Sequence, residues 1–87
     1  MITKIIKVFT DYCGPCKQLA RELKDISIPV EEINADEDTE FSESHNIKSV
    51  PVLIFMDNDK EIYRHIGLMT KESIENKIKT LNSNETC

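Results

Sequence analysis

The 87-residue sequence lacks a long apolar run and a basic stretch, and it has only three cysteines. Its N-terminal segment, Met-Ile-Thr-Lys-Ile-Ile-Lys, has too short an apolar run for a signal peptide or a membrane span. A net charge of −5 without clustered lysines or arginines argues against nucleic-acid binding. Three cysteines are too few for the disulfide framework of a small secreted scaffold. We therefore expect one domain, 1–87, in the reducing cytoplasm.

Residues 13–16 read Cys-Gly-Pro-Cys and follow a short apolar segment that ends at Phe9. Two thiols at positions i and i+3 lie one helical turn apart, close enough to form a disulfide without backbone movement. If a helix begins here, its unpaired N–H groups and its dipole stabilise the Cys13 thiolate, the form that attacks a disulfide. Pro15 suits the first turn, where an N–H has no partner within the helix. Together, the strand, the CxxC and the helix predict a redox site.

A CxxC pair also occurs in zinc sites, which need two further ligands. The remaining candidates are His45, His65 and Cys87, and they stand at no recognisable zinc-ligand spacing. We therefore expect no metal ion and interpret both histidines as surface residues that are solvated or partly packed. We interpret Cys87 as a thiol without function, with an intermolecular disulfide as the alternative.

The hydrophobic pattern alternates between strands and helices. Four strands are predicted, at 4–9, 29–34, 52–55 and 60–66. Three helices are predicted, at 13–25, after the acidic residues 36–38 as far as Asn46, and after the cap residue Thr70. The inward faces of the first and last helix are predicted to be Cys16, Leu19, Ala20 and Leu23, and Ile74, Ile78 and Leu81. Residues 82–87 are predicted to form a flexible polar tail.

The order βαβαββα implies an α/β fold with a four-stranded mixed sheet flanked by helices. The first crossover should be right-handed, which leaves the CxxC at the carboxyl end of the first strand. Because ligands and substrates of open α/β sheets bind at that edge, the predicted fold and the predicted site agree.

The chain resembles the thioredoxin family through three motifs that occur in the family's order. These motifs are Cys13-Gly14-Pro15-Cys16-Lys17, Ile33-Asn34-Ala35-Asp36 and Ile47-Lys48-Ser49-Val50-Pro51, with Gly67 before the last helix. They cover nearly the whole chain. The leading strand and helix of longer thioredoxins are absent, so the chain is similar to a shortened member. The Gly-Pro pair favours thioredoxin over glutaredoxin, which usually carries Cys-Pro-Tyr-Cys and a glutathione-binding signature that is not found here.

The resemblance implies a thioredoxin fold and a role for each matching position. Cys13 would be the exposed nucleophile and Cys16 the more buried resolving thiol. Pro51 matches the family's cis-proline, and Val50 would offer backbone hydrogen bonds to an extended substrate segment. The other positions that match the substrate groove are Tyr12, Gly14, Pro15, Ala35, Ile66 and Gly67. Tyr12 replaces the tryptophan usual before the first cysteine, and since it offers less aromatic area we expect a different choice of partner.

The resemblance fails at two charged positions, Lys7 and Glu32. Six residues before its first cysteine, the family generally has a buried aspartate that handles the resolving thiol's proton, with a lysine partner on the second strand. Here the charges are reversed. We expect the two side chains side by side beneath Cys16, with a buried Glu32 as the proton relay and Lys7 stabilising the thiolate. The alternative is a lysine whose stem crosses apolar surface to solvent and an exposed edge-strand acid.

The function implied by the resemblance is a dithiol–disulfide exchange that reduces protein disulfides. Cys13 would attack the substrate disulfide, and Cys16 would then attack Cys13 and release the reduced substrate. The exchange needs no metal or organic cofactor. The implied partners are disulfide-containing proteins and a flavin- and NADPH-dependent thioredoxin reductase, and we expect a monomer without nucleic-acid or membrane binding. Two alternatives stay open: a glutaredoxin-like or ribonucleotide-reductase electron donor, and a non-catalytic interaction module of the same fold.

Overall fold

The computed structural model describes residues 1–84 and contains the predicted alternation of strands and helices. The strands are β1 (Lys4–Phe9), β2 (Val30–Asn34), β3 (Val52–Asp57) and β4 (Lys60–Ile66). The helices are α1 (Gly14–Glu22), α2 (Thr39–Ser44) and α3 (Lys71–Asn84). In this part of the chain, no helix has the length and apolar character needed to cross a membrane. The mixed sheet with its three helices confirms the predicted fold class.

The strands lie in the order β2-β1-β3-β4, with β1 parallel to β2 and the other neighbours antiparallel. Val8 is paired with Ile33 on one side and Val52 on the other, and Val52 is paired with Ile66. The carboxyl ends of β1, β2 and β4 therefore meet the amino end of β3 at one edge of the sheet. We call this the site edge, formed by 9–16, 34–36, 50–52 and 66–67.

The apolar core lies on both faces of the sheet. On one face, β1 and β3 pack against α1 and α3 through Ile5, Leu53, Phe55, Leu19, Leu23, Ile74 and Ile78. On the other face, Ile6, Val8, Val52, Ile54 and Met56 pack against Phe41 of α2 and against Ile47. Because β3 is central and covered on both faces, its consecutive residues Leu53, Ile54 and Phe55 are fully buried, as its continuous apolar run indicates.

Helix α1 is shorter than predicted at both ends. Cys13 is its N-cap residue, so the helix begins at Gly14, and Leu23 is its C-cap, so it ends at Glu22 rather than at 25. Asp25 has a φ of 62°, a left-handed conformation that a helix cannot continue through. Ala20, predicted to face inward, is exposed beside an open cavity, because α1 does not cover the outer part of the sheet.

The ends of α2 and α3 also differ from the predictions. Helix α2 stops at Ser44, two residues early, because Asn46 adopts a φ of 55°. Helix α3 begins after Thr70, whose Oγ1 accepts a hydrogen bond of 3.2 Å from the Ser73 N–H. It continues through residues 82–84, which were predicted to be tail, and Asn82 Oδ1 accepts a 2.7 Å bond from the Ile2 N–H. The rest of the predicted tail, with Cys87, lies outside the described residues.

Candidate active site

The two cysteines of the motif are joined by a disulfide at the start of α1. Their Cα atoms are 5.2 Å apart. Cys13 is the N-cap, and its Sγ accepts a hydrogen bond of 3.1 Å from the Cys16 N–H. In the reduced state, the unpaired N–H groups of the first turn and the helix dipole would stabilise a thiolate on Cys13. The local sequence produces this arrangement because Pro15 occupies the first turn without needing an N–H partner.

Both cysteine residues are largely covered by protein. Cys13 has an exposed fraction of 8% and Cys16 one of 3%. The expectation of an exposed Cys13 is therefore wrong for the disulfide form, because the disulfide and the N-cap hydrogen bond hold its sulfur against the first turn. Cys13 is still the more accessible of the two. The difference favours Cys13 as the first sulfur to meet a substrate.

Pro51 lies at the site edge because the amino end of β3 is located there. It precedes β3, whose first residue, Val52, pairs with Val8 next to the end of β1. The Val50–Pro51 peptide bond is cis, as the resemblance implies. The Pro51 carbonyl accepts a hydrogen bond of 2.8 Å from the N–H of Gly67. Gly67 has a φ of 104°, so a residue with a side chain would be strained there.

The remaining predicted groove residues also lie at the site edge. Tyr12 is 95% exposed and Ile66 is 64% exposed, so two large apolar side chains face solvent there. Ala35 is half-buried, and its N–H donates to the carbonyl of Phe9 over 2.8 Å. An open cavity of about 260 Å³ lies beside Ala35 and Val50. The other two predicted positions, Gly14 and Pro15, are exposed in the first turn of α1.

Lys7 and Glu32 are opposite each other on β1 and β2. Lys7 Nζ lies 3.2 Å from Glu32 Oε2, and the exposed fractions of the two side chains are 5% and 60%. The predicted burial of Glu32 is wrong, because β2 is an edge strand and α1 leaves its outer side open. Lys7 is buried beneath α1, with its Nζ 5.0 Å from the centroid of the Phe9 ring. The relay role of Glu32 stays a prediction.

A cavity of about 180 Å³ lies beneath Cys16, and three of the residues that line it are charged. Its lining residues are Lys7, Phe9, Thr10, Asp11, Cys16, Lys17 and Ala20. A second cavity, of about 200 Å³, lies on the other side of Lys7 and is lined by Glu32 but not by Cys16. Asp11 was not singled out by the sequence analysis. The sequence feature that could have indicated it is the position of this acidic residue, two residues before Cys13.

The two histidines lie away from this cavity and have local partners. The His45 ring stacks on Phe41 with 3.9 Å between ring centroids, and its Nδ1 is 3.0 Å from Ser44 Oγ. His65 Nε2 is 3.2 Å from the carbonyl oxygen of Leu68. Both rings are half-buried, in keeping with the interpretation as partly packed residues. Within residues 1–84, no three His, Cys, Asp or Glu side chains come together as a metal site requires.

The family model for thioredoxin matches residues 2–80. The chain belongs to the thioredoxin family. It is 30% identical to the thioredoxin of Chlamydia pneumoniae over 79 residues, which cover 85% of this chain and 78% of the relative. It is 31% identical to the thioredoxin of Mycoplasma pneumoniae over 75 residues, which cover 80% of this chain and 74% of the relative.

Solved thioredoxin structures have the same fold. A mutant thioredoxin from Halobacterium salinarum superposes with a TM-score of 0.82 at 20% identity, covering 90% of this chain and 73% of its own. Chloroplastic thioredoxin z superposes with a TM-score of 0.80 at 29% identity, covering 94% of this chain and 80% of its own. Because the identity to the Halobacterium salinarum protein is only 20%, that similarity is evidence for the fold alone.

Family membership and the Cys13–Cys16 disulfide identify the activity. The protein is a thiol–disulfide oxidoreductase of the thioredoxin type that acts on protein disulfides. Its partners, in general terms, are disulfide-containing proteins and a reductase. The two alternatives, a glutaredoxin-like or ribonucleotide-reductase donor and a non-catalytic module, are not favoured by these comparisons.

Proposed function

We propose that Cys13 is the nucleophile and Cys16 the resolving thiol in the reduction of protein disulfides. The observation that carries this assignment is the disulfide at the N-terminus of α1, in which Cys13 is the more accessible residue. The Cys13 thiolate attacks one substrate sulfur, and the other substrate sulfur leaves with the electron pair of the broken bond. Cys16 then attacks Cys13 Sγ and displaces the substrate sulfur bound there, which leaves with the electron pair, so that the protein is oxidised and the substrate is reduced by two electrons.

We propose that the substrate segment lies extended across the site edge. Val50 would offer its backbone to this segment, and Pro51 would lie beneath it beside the disulfide. The exposed side chains of Tyr12 and Ile66 would flank it and exclude water from the reacting sulfurs. The other four predicted positions complete the groove: Gly14, Pro15, Ala35 and Gly67.

Lys7 is proposed to stabilise negative charge on Cys16. It lines the same cavity as Cys16, and its cation is withdrawn from bulk solvent, which strengthens its field at the thiol. Glu32 holds the Lys7 ammonium in place through the ion pair. Its role as proton relay is tested by single-turnover reduction of a protein disulfide with Glu32→Gln. An unchanged rate at every pH would remove Glu32 from the proton path.

The proposed recycling partner is a flavin- and NADPH-dependent thioredoxin reductase. The thioredoxin motif and the thioredoxin relatives support this proposal, since they imply a reductase partner in general. We further propose that the protein acts in the cytoplasm as a monomeric single domain. In this cycle the protein itself needs no cofactor, because thiol exchange proceeds between sulfur atoms alone.

A coupled assay tests the proposed function. The protein is incubated with insulin and NADPH plus thioredoxin reductase, or with NADPH, glutathione and glutathione reductase. We expect NADPH consumption with thioredoxin reductase and little with glutathione. Cys13→Ser should abolish turnover, and Cys16→Ser should accumulate a mixed disulfide through Cys13. Turnover by the glutathione system alone would assign a glutaredoxin-like donor instead, and full turnover by Cys13→Ser would reject the proposed nucleophile.

A further inference from the structure

Asp11 shares a cavity with the resolving cysteine. Asp11 lines it from the segment after β1, and Cys16 lines it from α1. Asp11 is the only acidic residue among those that line this cavity of about 180 Å³. Glu32 lines the neighbouring cavity, on the far side of the Lys7 side chain. Of the two candidate carboxylate residues, Asp11 is therefore the one that shares a cavity with Cys16.

The position of Asp11 is set by the end of β2. Asn34 Nδ2 donates a hydrogen bond of 3.2 Å to Asp11 Oδ1. The Asn34 side chain is itself held, because its Oδ1 accepts a 3.0 Å bond from the Asp36 N–H. Asn34 pairs with Phe9 in the parallel ladder, so the amide lies directly beside the end of β1. These bonds tie the Asp11 carboxylate to the sheet although the residue is exposed.

The other charged groups that line the cavity are cations. Lys7 lines it from β1 and Lys17 from α1. Two cations at the cavity favour a thiolate on Cys16, and so they lower the cost of removing the proton from its sulfur. The cavity volume is several times the roughly 30 Å³ that one water molecule occupies in the liquid, so there is room for water between Asp11 and Cys16.

We propose that Asp11 accepts the proton of Cys16, through water in this cavity, when the mixed disulfide is resolved. The Cys16 thiolate then attacks Cys13 Sγ, and the bond between Cys13 and the substrate sulfur breaks. The electron pair leaves with the substrate sulfur, which takes a proton from water. Asp11 returns its proton to bulk solvent, to which it is open. The inference rests on the proposed roles of Cys13 and Cys16.

Stopped-flow mixing of the reduced protein with dithiobis(nitrobenzoate) separates the two thiol steps, because each step releases one coloured thiolate. All proteins in this experiment carry Cys87→Ser, since the third thiol of the chain would otherwise release a further coloured thiolate. The first release reports the attack of Cys13 and depends on reagent concentration. The second reports the intramolecular attack of Cys16 and does not. Asp11→Asn should slow the second release about tenfold or more at neutral pH and leave the first unchanged, since positioned proton acceptors contribute at least about a hundredfold and water replaces part of that.

The pH profile and a conservative variant distinguish proton transfer from a structural effect. The difference in the rate of second release between Asp11→Asn and the parent protein should decrease as the pH rises, because Cys16 then ionises without a nearby proton acceptor. Asp11→Glu should restore most of the second release. Glu37→Gln is the matched control: it removes one negative charge from an exposed residue just outside the site edge that does not line this cavity, and its second release should occur at the rate of the parent protein.

Three results would overturn the proposal. They are an unchanged rate of second release in Asp11→Asn at every pH, an equally slowed second release in Glu37→Gln, and a slowed second release in Glu32→Gln when that of Asp11→Asn is unchanged. Failure of the underlying mechanism looks different. In that case Cys16→Ser would still show a second release independent of reagent concentration, whatever residue stands at position 11.

Discussion

Lys7 and Glu32 form an ion pair in which one partner is buried and the other is open to water. Their charged atoms are 3.2 Å apart, and the side chains are 5% and 60% exposed. The cation lies on the side of the pair that faces the Cys16 cavity, and the anion lies on the side that faces solvent. The electric field at Cys16 is therefore mainly that of the Lys7 cation, because solvent partly screens the charge of Glu32.

Removal of this cation should make the Cys13–Cys16 reduction potential more negative. Lys7 is proposed to stabilise thiolate character in the reduced protein, and a stabilised reduced form makes a dithiol more oxidising. For Lys7→Met we expect a shift on the order of 10–30 mV toward negative potentials, measured by titration against a glutathione redox buffer.

Lys4→Met is the matched control for that measurement. Lys4 is also on β1 and forms a 3.2 Å ion pair with Glu31 of β2, but strand alternation places it on the opposite face. Its removal should leave the potential unchanged. An equal shift in both variants would attribute the effect to net charge rather than to the cavity.

The same pair makes a prediction about stability. Glu32→Gln leaves the buried Lys7 ammonium without its carboxylate, and we expect the free energy of unfolding to fall by about 1 kcal/mol. Lys7→Met replaces the buried cation by an apolar chain of similar length, so its cost should be below about 1 kcal/mol. Urea denaturation measures both. A larger loss of unfolding free energy for Lys7→Met than for Glu32→Gln would contradict the explanation that the cost arises from a buried cation left without its carboxylate.

The two glycines should respond in opposite directions to alanine. At Gly67, with a φ of 104°, a Cβ meets no atom within 4 Å, so Gly67→Ala carries only backbone strain, about 1–2 kcal/mol of lost stability. At Gly14 a Cβ also meets nothing, and the backbone is helical, so Gly14→Ala should add up to about 1 kcal/mol. Thermal unfolding of the two variants compares them directly, and equal stabilities would exclude the conformational explanation.

Ile66 provides a test of the proposed groove. Ile66→Ser should raise the KM for insulin severalfold, because the substrate loses an apolar contact, while leaving the reaction with dithiobis(nitrobenzoate) unchanged. Ile62→Ser is the matched control, since Ile62 is on the same strand, 36% exposed, and outside the site edge. An unchanged KM in Ile66→Ser, or the same increase in both variants, would place the groove elsewhere.

The sequence by itself determined the elements and the redox motif. Strand β1 and strand β4 have the predicted bounds, because the apolar run of β1 and the turn residues 57–59 before β4 both act through local chain geometry. The CxxC and Pro51 were recognisable for a similar reason: their chemistry depends on residue type and close spacing. The helix ends were less predictable, since single residues such as Asp25 and Asn46 adopt left-handed conformations that no periodicity indicates.

Only the tertiary structure decided which charged groups surround the resolving thiol. Residue counting placed Lys7 and Glu32 side by side, but their unequal burial follows from the position of β2 at the sheet edge and from the partial cover that α1 provides. Asp11 reaches the Cys16 cavity because Asn34, 23 residues away along the chain, holds it at the end of β1. Burial and shared cavities depend on how distant segments pack, and local sequence does not carry that information.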